Sequence, residues 1–345
     1  MNQTPVPRIS PFAPQPFEAP SDVADSGAHQ GTWNSDVVAL VGGGGGAKLA
    51  WGLAQLLPPD RLTLIVNTAD DFDHLGLHIS PDLDTVMYTL AGLANPDTGW
   101  GLRDETWNVL TMLARYEAPT WFRLGDRDLA TQLVRSLWLR QGFPLTWVTQ
   151  ELCKLLGVRQ ILLPMTDGSV RTVVRTDDGD LAFQDYFVRL GWQPRVRSVR
   201  FLGVEETQPS QAVVSALRAA DVILLGPSNP FVSLDPILAL PAVRRMLTAS
   251  RAPRVAVSPI VAGQAIKGPA AKMMRELGLE VSPLAVAGHY GDFLTGFVLD
   301  RQDAEYGARI TEQLGLRTLL TDTVMLSESD RIQLARRTLD FASQC

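Results

Sequence analysis

Two groups of residues near the start of the chain have the types and spacing that chemistry needs. Gly42, Gly43, Gly44, Gly45 and Gly46 follow an apolar run at 37–41 and lead to Lys48. Glycine removes the Cβ that would hold a phosphate away from backbone N–H groups, a helix starting there adds a partial positive charge, and Lys48 adds a full one. No Gly-Lys-Ser/Thr follows and the run fits a dinucleotide fingerprint only loosely, so phosphate binding competes with a merely tight strand-to-helix turn. The second group is Asn67, Asp70, Asp71, Asp73, Asp82 and Asp84, five carboxylates and an amide within eighteen positions. Carboxylates that share a site with phosphates do so through a hard cation, so Mg²⁺ is implied if the glycines hold phosphate. The competing role is a solvated loop for Asp70, Asp71 and Asp73, with Asp82 and Asp84 complementing a helix dipole. Asp71 and Asp84 are the functional candidates; Asp73 is the solvated one.

Further candidates lie later. Arg127, between Asp126 and Asp128 at a helix start, is either a surface charge or a guanidinium aimed at an anion. Lys267, before Gly268, repeats the chemistry of Lys48. Ser228 and Asn229 stand between Pro227 and Pro230 with no histidine motif beside them, so they read as a rigid ligand-bonding loop and not as a serine nucleophile. His289 reads as a turn residue that either meets substrate or is satisfied locally, and Gly76 argues against a zinc pair of His74 and His78. Trp100, Trp107 and Trp121 are either core packing or a stack for a planar ligand.

The elements that position these residues follow a βα rhythm. Leu62–Val66 is a second buried strand ending in the loop 67–74, and Ser80-Pro-Asp-Leu-Asp84 opens a helix with proline at its first position. Helical spacing covers 104–116, 126–140 and 146–156, followed by short β runs at 161–163, 170–175 and 181–183 with a turn at 177–179. The rhythm resumes with a helix near 211–219, strands at 222–225 and 254–257, and a helix around 270–277. The expected fold is therefore α/β: a Rossmann-like parallel-sheet core over 36–100 and 200–335, an inserted helical and β region over 101–199, and a disordered proline-rich tail over 1–35. Ligands of such sheets sit beyond the carboxyl ends of the strands, where the loops 42–46, 67–74, 226–230 and 258–267 fall.

The 345 residues are 46% hydrophobic, enough for a sizeable core, and carry a net charge of −6, which argues against a nucleic-acid or anionic-membrane surface. No apolar run is long enough for a transmembrane helix, and the first thirty-odd residues lack the basic and apolar regions of a secretory signal. Cys153 and Cys345 are too few and isolated for a disulfide framework, so a reducing cytoplasmic setting is expected.

Taken together, the segments 42–49, Asn67-Thr-Ala-Asp-Asp71, 79–86, 124–128, 163–167, Gly226-Pro-Ser-Asn-Pro230, 257–260 with 268–270, and 292–294 with 321–323 resemble the 2-phospho-L-lactate transferase (CofD-type) family of coenzyme F420 biosynthesis. The resemblance implies a homodimer in which the terminal ribityl hydroxyl of the deazaflavin Fo attacks a guanosine diphosphate-linked organic acid, takes the phospholactate, phosphoenolpyruvate or phosphoglycerate group, and releases GMP. Mg²⁺ is expected, held by Asp71 or Asp84. Carried over by position, Asp84 and Arg127 match the acceptor-binding positions, and Asp84 is also the candidate to orient or deprotonate the hydroxyl. The glycine run (Gly43, Gly44, Gly45, Gly46) with Lys48 matches the donor phosphate region. Strand-end geometry adds Asn67, Gly226, Ser228, Asn229, Ser258 and Lys267 to the donor side. Five glycines replace the family's usual Gly-Gly-Thr-Gly, and the tail is extra.

Two other functions compete. A non-catalytic nucleotide-sugar-binding regulator of the gluconeogenesis-factor type would share the core and its first loop, yet would not need Ser80-Pro-Asp-Leu-Asp84 or Gly125-Asp-Arg-Asp128. An NAD-linked oxidoreductase needs an acid at the end of the second strand, where Asn67 stands.

Overall fold

A computed structural model describes residues 33–345. The proposed tail lies outside the described residues up to position 32, while Trp33 already packs against the core. The first strand, β1 (Val37–Val41), is buried at every position, and its side chains alternate between two hydrophobic clusters, Val38 and Leu40 in one and Val37, Ala39 and Val41 in the other. A strand covered on both faces has no polar side to show, which explains its unbroken apolar sequence.

Helix α1 (Gly43–Ala54) begins four residues earlier than a separate glycine loop would allow: four of the five glycines form its first turn. Gly42 is extended and Gly43 has φ +60°, so the chain reverses direction there without a Cβ penalty. Then follow β2 (Leu62–Val66), the hairpin β3 (Phe72–His74) and β4 (Leu77–Ile79), and α2 (Pro81–Leu90). The hairpin takes up the end of the expected polar loop. Helix α3 (Asn108–Arg115) is shorter than its periodicity suggests, whereas α4 (Asp126–Arg140) and α5 (Leu145–Leu155) agree closely.

Strand β5 (Ile161–Pro164) differs from expectation: it does not group with the β runs after it but pairs in parallel with β2 at the edge of the main sheet. The three strands that follow, β6 (Arg171–Thr176), β7 (Gly179–Ala182) and β8 (Val196–Leu202), form a separate antiparallel sheet. The core resumes with α6 (Gln211–Ala219), β9 (Val222–Leu225), α7 (Asp235–Ala239), α8 (Pro241–Ala249) and β10 (Arg254–Val257). A two-residue ribbon, β11 (Ile260–Val261) with β12 (Gln264–Ala265), precedes α9 (Ala270–Glu276) and α10 (Pro283–Tyr290). The chain closes with β13 (Gly296–Asp300), α11 (Ala304–Leu314), β14 (Arg317–Thr321) and α12 (Glu328–Ala342).

Seven strands pair in parallel in the order β14-β13-β10-β9-β1-β2-β5, which confirms the α/β, Rossmann-like expectation. From β1 the chain builds outward through β2 and β5, then crosses back to β9 and builds the other way. The crevice between the ends of β1 and β9 is therefore the topological switch point where such sheets bind ligands. No helix among the described residues is long and apolar enough to cross a membrane.

Candidate active site

The loops after β1 and β9 meet directly. Ser228 Oγ accepts the Gly42 N–H at 3.2 Å and donates to the Gly42 carbonyl at 2.8 Å, and a Cβ on Gly226 would stand 3.2 Å from Gly46 Cα. Ser228 is thus a staple that sets the first turn of α1. Asn229 is also used locally, its Oδ1 accepting the Phe231 N–H at 3.0 Å. Ser258, buried at the end of β10, accepts from the Ile260 N–H at 3.1 Å and so shapes its own loop.

On one side of this turn lie the acids. Gly43 donates its N–H to Asp82 Oδ1 at 2.9 Å, and Asn67 Nδ2 reaches Asp82 Oδ2 and Asp70 Oδ2, both at 3.0 Å. Asn67 is buried and acts as the hub that holds two carboxylates at the helix start. Burial, and then the Asp82 charge, push Asp70 well above the usual carboxylate range. Burial also raises Asp82, to about 6, against the bonds from Asn67 and Gly43. Asp71 Oδ2 accepts from Ser80 Oγ at 2.7 Å and meets His78 Nε2 at 3.1 Å; burial raises its pKa too, opposed mainly by His78.

Asp84 sits two residues after Asp82, about half a turn along α2, in a different setting. Both its oxygens bind Arg135 of α4, and Gln132 Nε2 donates to Oδ2 at 2.8 Å. The pair is buried, Arg135 to 1% exposure. Burial works against the Arg135 charge, but the Asp84 charge and bonds outweigh it and hold the guanidinium above its ordinary value. Gln132 continues the network to Asp128, which Tyr88 also contacts at 2.8 Å, and burial lifts Asp128 to about 6.

Arg127, beside Asp128, is exposed; its guanidinium donates to the Arg103 carbonyl at 3.0 Å and its N–H to Glu105 at 2.9 Å. Next to it runs a cleft lined by Trp100, Leu102, Glu105, Trp107, Gly125 and Asp128. Trp121 is not part of that cleft and packs instead on Phe72, His74 and Phe122. His289 is helical, in α10, and its ring meets Asp235 at 2.8 Å, so the expected turn histidine is satisfied locally.

On the other side of the glycine turn lie cations. Lys48 Nζ donates to the Met325 carbonyl at 2.8 Å, and its pKa is lowered by burial and then by the charges of Arg331 and Lys267. Lys267 Nζ stands 3.1 Å from the place a Cβ on Gly99 would take, and the Gly99 carbonyl lies 3.9 Å from the equivalent point on Gly44. The structure thus brings Lys48 and Lys267 to one patch beside the first turn of α1. Sequence reasoning missed Asp82 as the residue nearest the glycines, along with Arg135, Gln132 and Arg331.

The fit of the implied Mg²⁺ rests on Asp71 and Asp70, whose Oδ1 atoms are buried and accept no hydrogen bond. Among the described residues no three His, Cys, Asp or Glu side chains form a metal-holding group. Mg²⁺ commonly uses one or two carboxylates with substrate phosphates and water, so two orphaned carboxylate oxygens suit it. Asp84 would join only by exchanging its bonds to Arg135 and Gln132.

The acids have a measurable consequence without ligand. Between about pH 4, where an unfolded aspartate titrates, and about 6, the native state keeps protons on Asp82 and Asp128 that the unfolded state releases. Stability therefore falls as pH rises through this window. Denaturant midpoints measured from pH 4 to 7 are expected to show the fall, with Asp82→Asn removing part of it; a flat profile contradicts the geometry.

A sequence profile described as "2-phospho-L-lactate transferase CofD" matches residues 37–332. The chain is 42% identical over 316 residues to a phosphoenolpyruvate transferase of Streptomyces coelicolor, covering 89% of this chain and 98% of that one. It is 38% identical over 299 residues to a 2-phospho-L-lactate transferase of Methanosarcina mazei, covering 87% and 98%. A solved structure of a UPF0052-family protein from Bacillus halodurans superposes with a TM-score of 0.59 at 17% identity, over 90% of this chain and all of that one, a likeness of fold. A parallel sheet whose switch point joins a glycine-started helix to flanking acids and cations, matched by that profile along nearly the whole described chain, places this protein in the CofD family of enzymes that transfer phosphorus-containing groups.

Proposed function

We propose that this enzyme transfers a phospho-organic-acid group from a guanosine diphosphate-linked donor to the terminal ribityl hydroxyl of Fo, releasing GMP, in coenzyme F420 biosynthesis. The observation that carries the reading is the division of charge around the first turn of α1, with Asp70, Asp71 and Asp82 on one side and Lys48 and Lys267 on the other. A diphosphate is neutralised on the cationic side while its reacting phosphorus faces the acids. Relatives named phosphoenolpyruvate transferase, at 41% and 42% identity, put the enolpyruvyl donor first.

The donor diphosphate lies along Gly43, Gly44, Gly45 and Gly46, whose backbone admits it closely, with Lys48 and Lys267 beside it. The deazaflavin ring stacks on the exposed face of Trp100, at the cleft beside Arg127, and the ribityl chain runs toward Asp71. The hydroxyl oxygen forms a bond to the phosphorus bearing the organic acid, the bond from that phosphorus to the GMP oxygen breaks, and the hydroxyl proton passes to a carboxylate. Asp71 is the acceptor the geometry favours, because burial raises its proton affinity and half-buried His78 lies beside it toward solvent. Asp84, fixed by Arg135, holds α2 and α4 in register and so keeps Arg127 and the acids on one wall. Mg²⁺ held through Asp70, with Asp71 left free as the proton acceptor, would offset charge on the diphosphate. The protein works as two copies in the cytoplasm.

Equilibrium titration of deazaflavin fluorescence tests the acceptor half. Fo is expected to bind, and Arg127→Ala to weaken it about tenfold, the loss of one charge-assisted contact. Binding of UDP-sugars without Fo would overturn the reading.

A further inference from the structure

We propose that Arg331 is a third cation of the donor pocket and binds the diphosphate together with Lys48 and Lys267; this rests on the donor reading above. Arg331 lies in the first turns of α12, whose register is fixed by a capping box: Ser327 Oγ accepts the Asp330 N–H at 3.2 Å and Asp330 Oδ2 accepts the Ser327 N–H at 2.7 Å. Helix α12 presses onto α1 at Gly52, where a Cβ would come within 2.2 Å of the Arg331 carbonyl. That close crossing places the guanidinium 5.4 Å over the Trp51 ring and leaves its Nε buried without a partner. Lys48 is tied to the same segment through Met325.

Trp51, which carries the Arg331 guanidinium, is three residues past Lys48 on α1, and Lys48 is bonded to Met325 just ahead of α12, so the two cations share one side of α1; the charges of Arg331 and Lys267 both depress the basicity of Lys48. None of the three forms an ion pair among the described residues. Like charges held together repel, and a fold that gathers them along the glycine-started helix is completed by an anion of comparable charge. A diphosphate has that charge, and the planar fork of a guanidinium matches its oxygens in a way an ammonium does not. The same chemistry could come from a nucleoside diphosphate or from inorganic diphosphate, and the arms of the test separate them.

The test is calorimetric titration of the full chain, in Mg²⁺, with GDP, GMP and inorganic diphosphate, on the wild type, Arg331→Met and Arg331→Lys. Methionine keeps contact with Trp51 and removes the charge. Arg331→Met is expected to weaken GDP by about tenfold or more and GMP by less than about threefold, with lysine restoring part of the loss. Weakening of inorganic diphosphate as well places the contact on the diphosphate itself. Unchanged GDP affinity in Arg331→Met overturns the proposal, as does equal weakening of GDP and GMP with a lowered Tm that lysine leaves unrepaired. If no donor is turned over with Fo yet GDP binding still depends on Arg331, the acceptor reading falls and this inference stands.

Discussion

Replacing Arg135 by methionine is expected to lower the unfolding free energy by about 3–5 kcal/mol, the usual consequence of stranding one partner of a buried ion pair. Arg135 is 1% exposed and its partner Asp84 6% exposed, so water cannot take over the lost bonds. Arg135 also donates to Gln132, and Gln132 bridges Asp84 to Asp128, so the substitution loosens both acids together. The check is a denaturant titration of wild type, Arg135→Met, Asp84→Asn and the double variant. If the cost is the stranded carboxylate, the double variant recovers a good part of it; if the double variant is as unstable as the sum of the two, the pair is not coupled and Asp84 is not held as described. Activity with Fo falls in Arg135→Met even where the protein remains folded, because Arg127 sits two turns earlier on the same helix.

Alanine at Gly44 and at Gly45 is expected to give opposite failures. A Cβ on Gly45 would lie 2.2 Å from the Pro227 carbonyl oxygen, a backbone atom in a loop stapled to Gly42 through Ser228. Neither side can yield without moving α1 from the β9 loop, so Gly45→Ala costs about 1–3 kcal/mol in stability and, by misplacing the site, about a hundredfold in turnover. A Cβ on Gly44 meets nothing nearer than the Gly99 carbonyl at 3.9 Å. In a helix that exchange stabilises by about 0.5–1 kcal/mol, so Gly44→Ala should melt no lower than wild type. Its methyl nevertheless projects toward Gly99 and Lys267, where the donor is placed, and GDP affinity should drop about tenfold, one lost charge-assisted backbone contact. A Gly44→Ala protein with wild-type GDP affinity would remove the phosphate from this helix start.

These contacts show which features the chain displays locally and which it does not. β1, β2 and the proline-opened α2 were legible because a strand buried on both faces and a capped helix start both write themselves into a few neighbouring residues. The β3–β4 hairpin was not, since its strands are three residues long and its turn uses Leu75 at φ +52° before Gly76. β5 could not be assigned to the main sheet from sequence, because its partner β2 is about a hundred residues away and a short apolar run carries no record of which sheet it joins. The same reason hid Arg135 and Arg331: each looks like a surface charge on a periodic helix, and only the bonding of α4 to Asp84 of α2 and the close packing of α12 on α1 set their surroundings. Asp82 was visible but undervalued, since its bond to Gly43 depends on α2 folding back over the first turn of α1.

The most direct measurement is turnover by the purified protein with Fo and Mg²⁺, offered separately the guanosine diphosphate esters of phosphoenolpyruvate, phospholactate and 3-phosphoglycerate, with the product identified by mass spectrometry and GMP quantified. The account predicts an Fo phosphodiester and one equivalent of GMP per product formed, fastest with the enolpyruvyl donor, and neither when the acceptor lacks its terminal ribityl hydroxyl. Folded protein that binds Fo and GDP yet forms no phosphodiester from any of the three donors would contradict it.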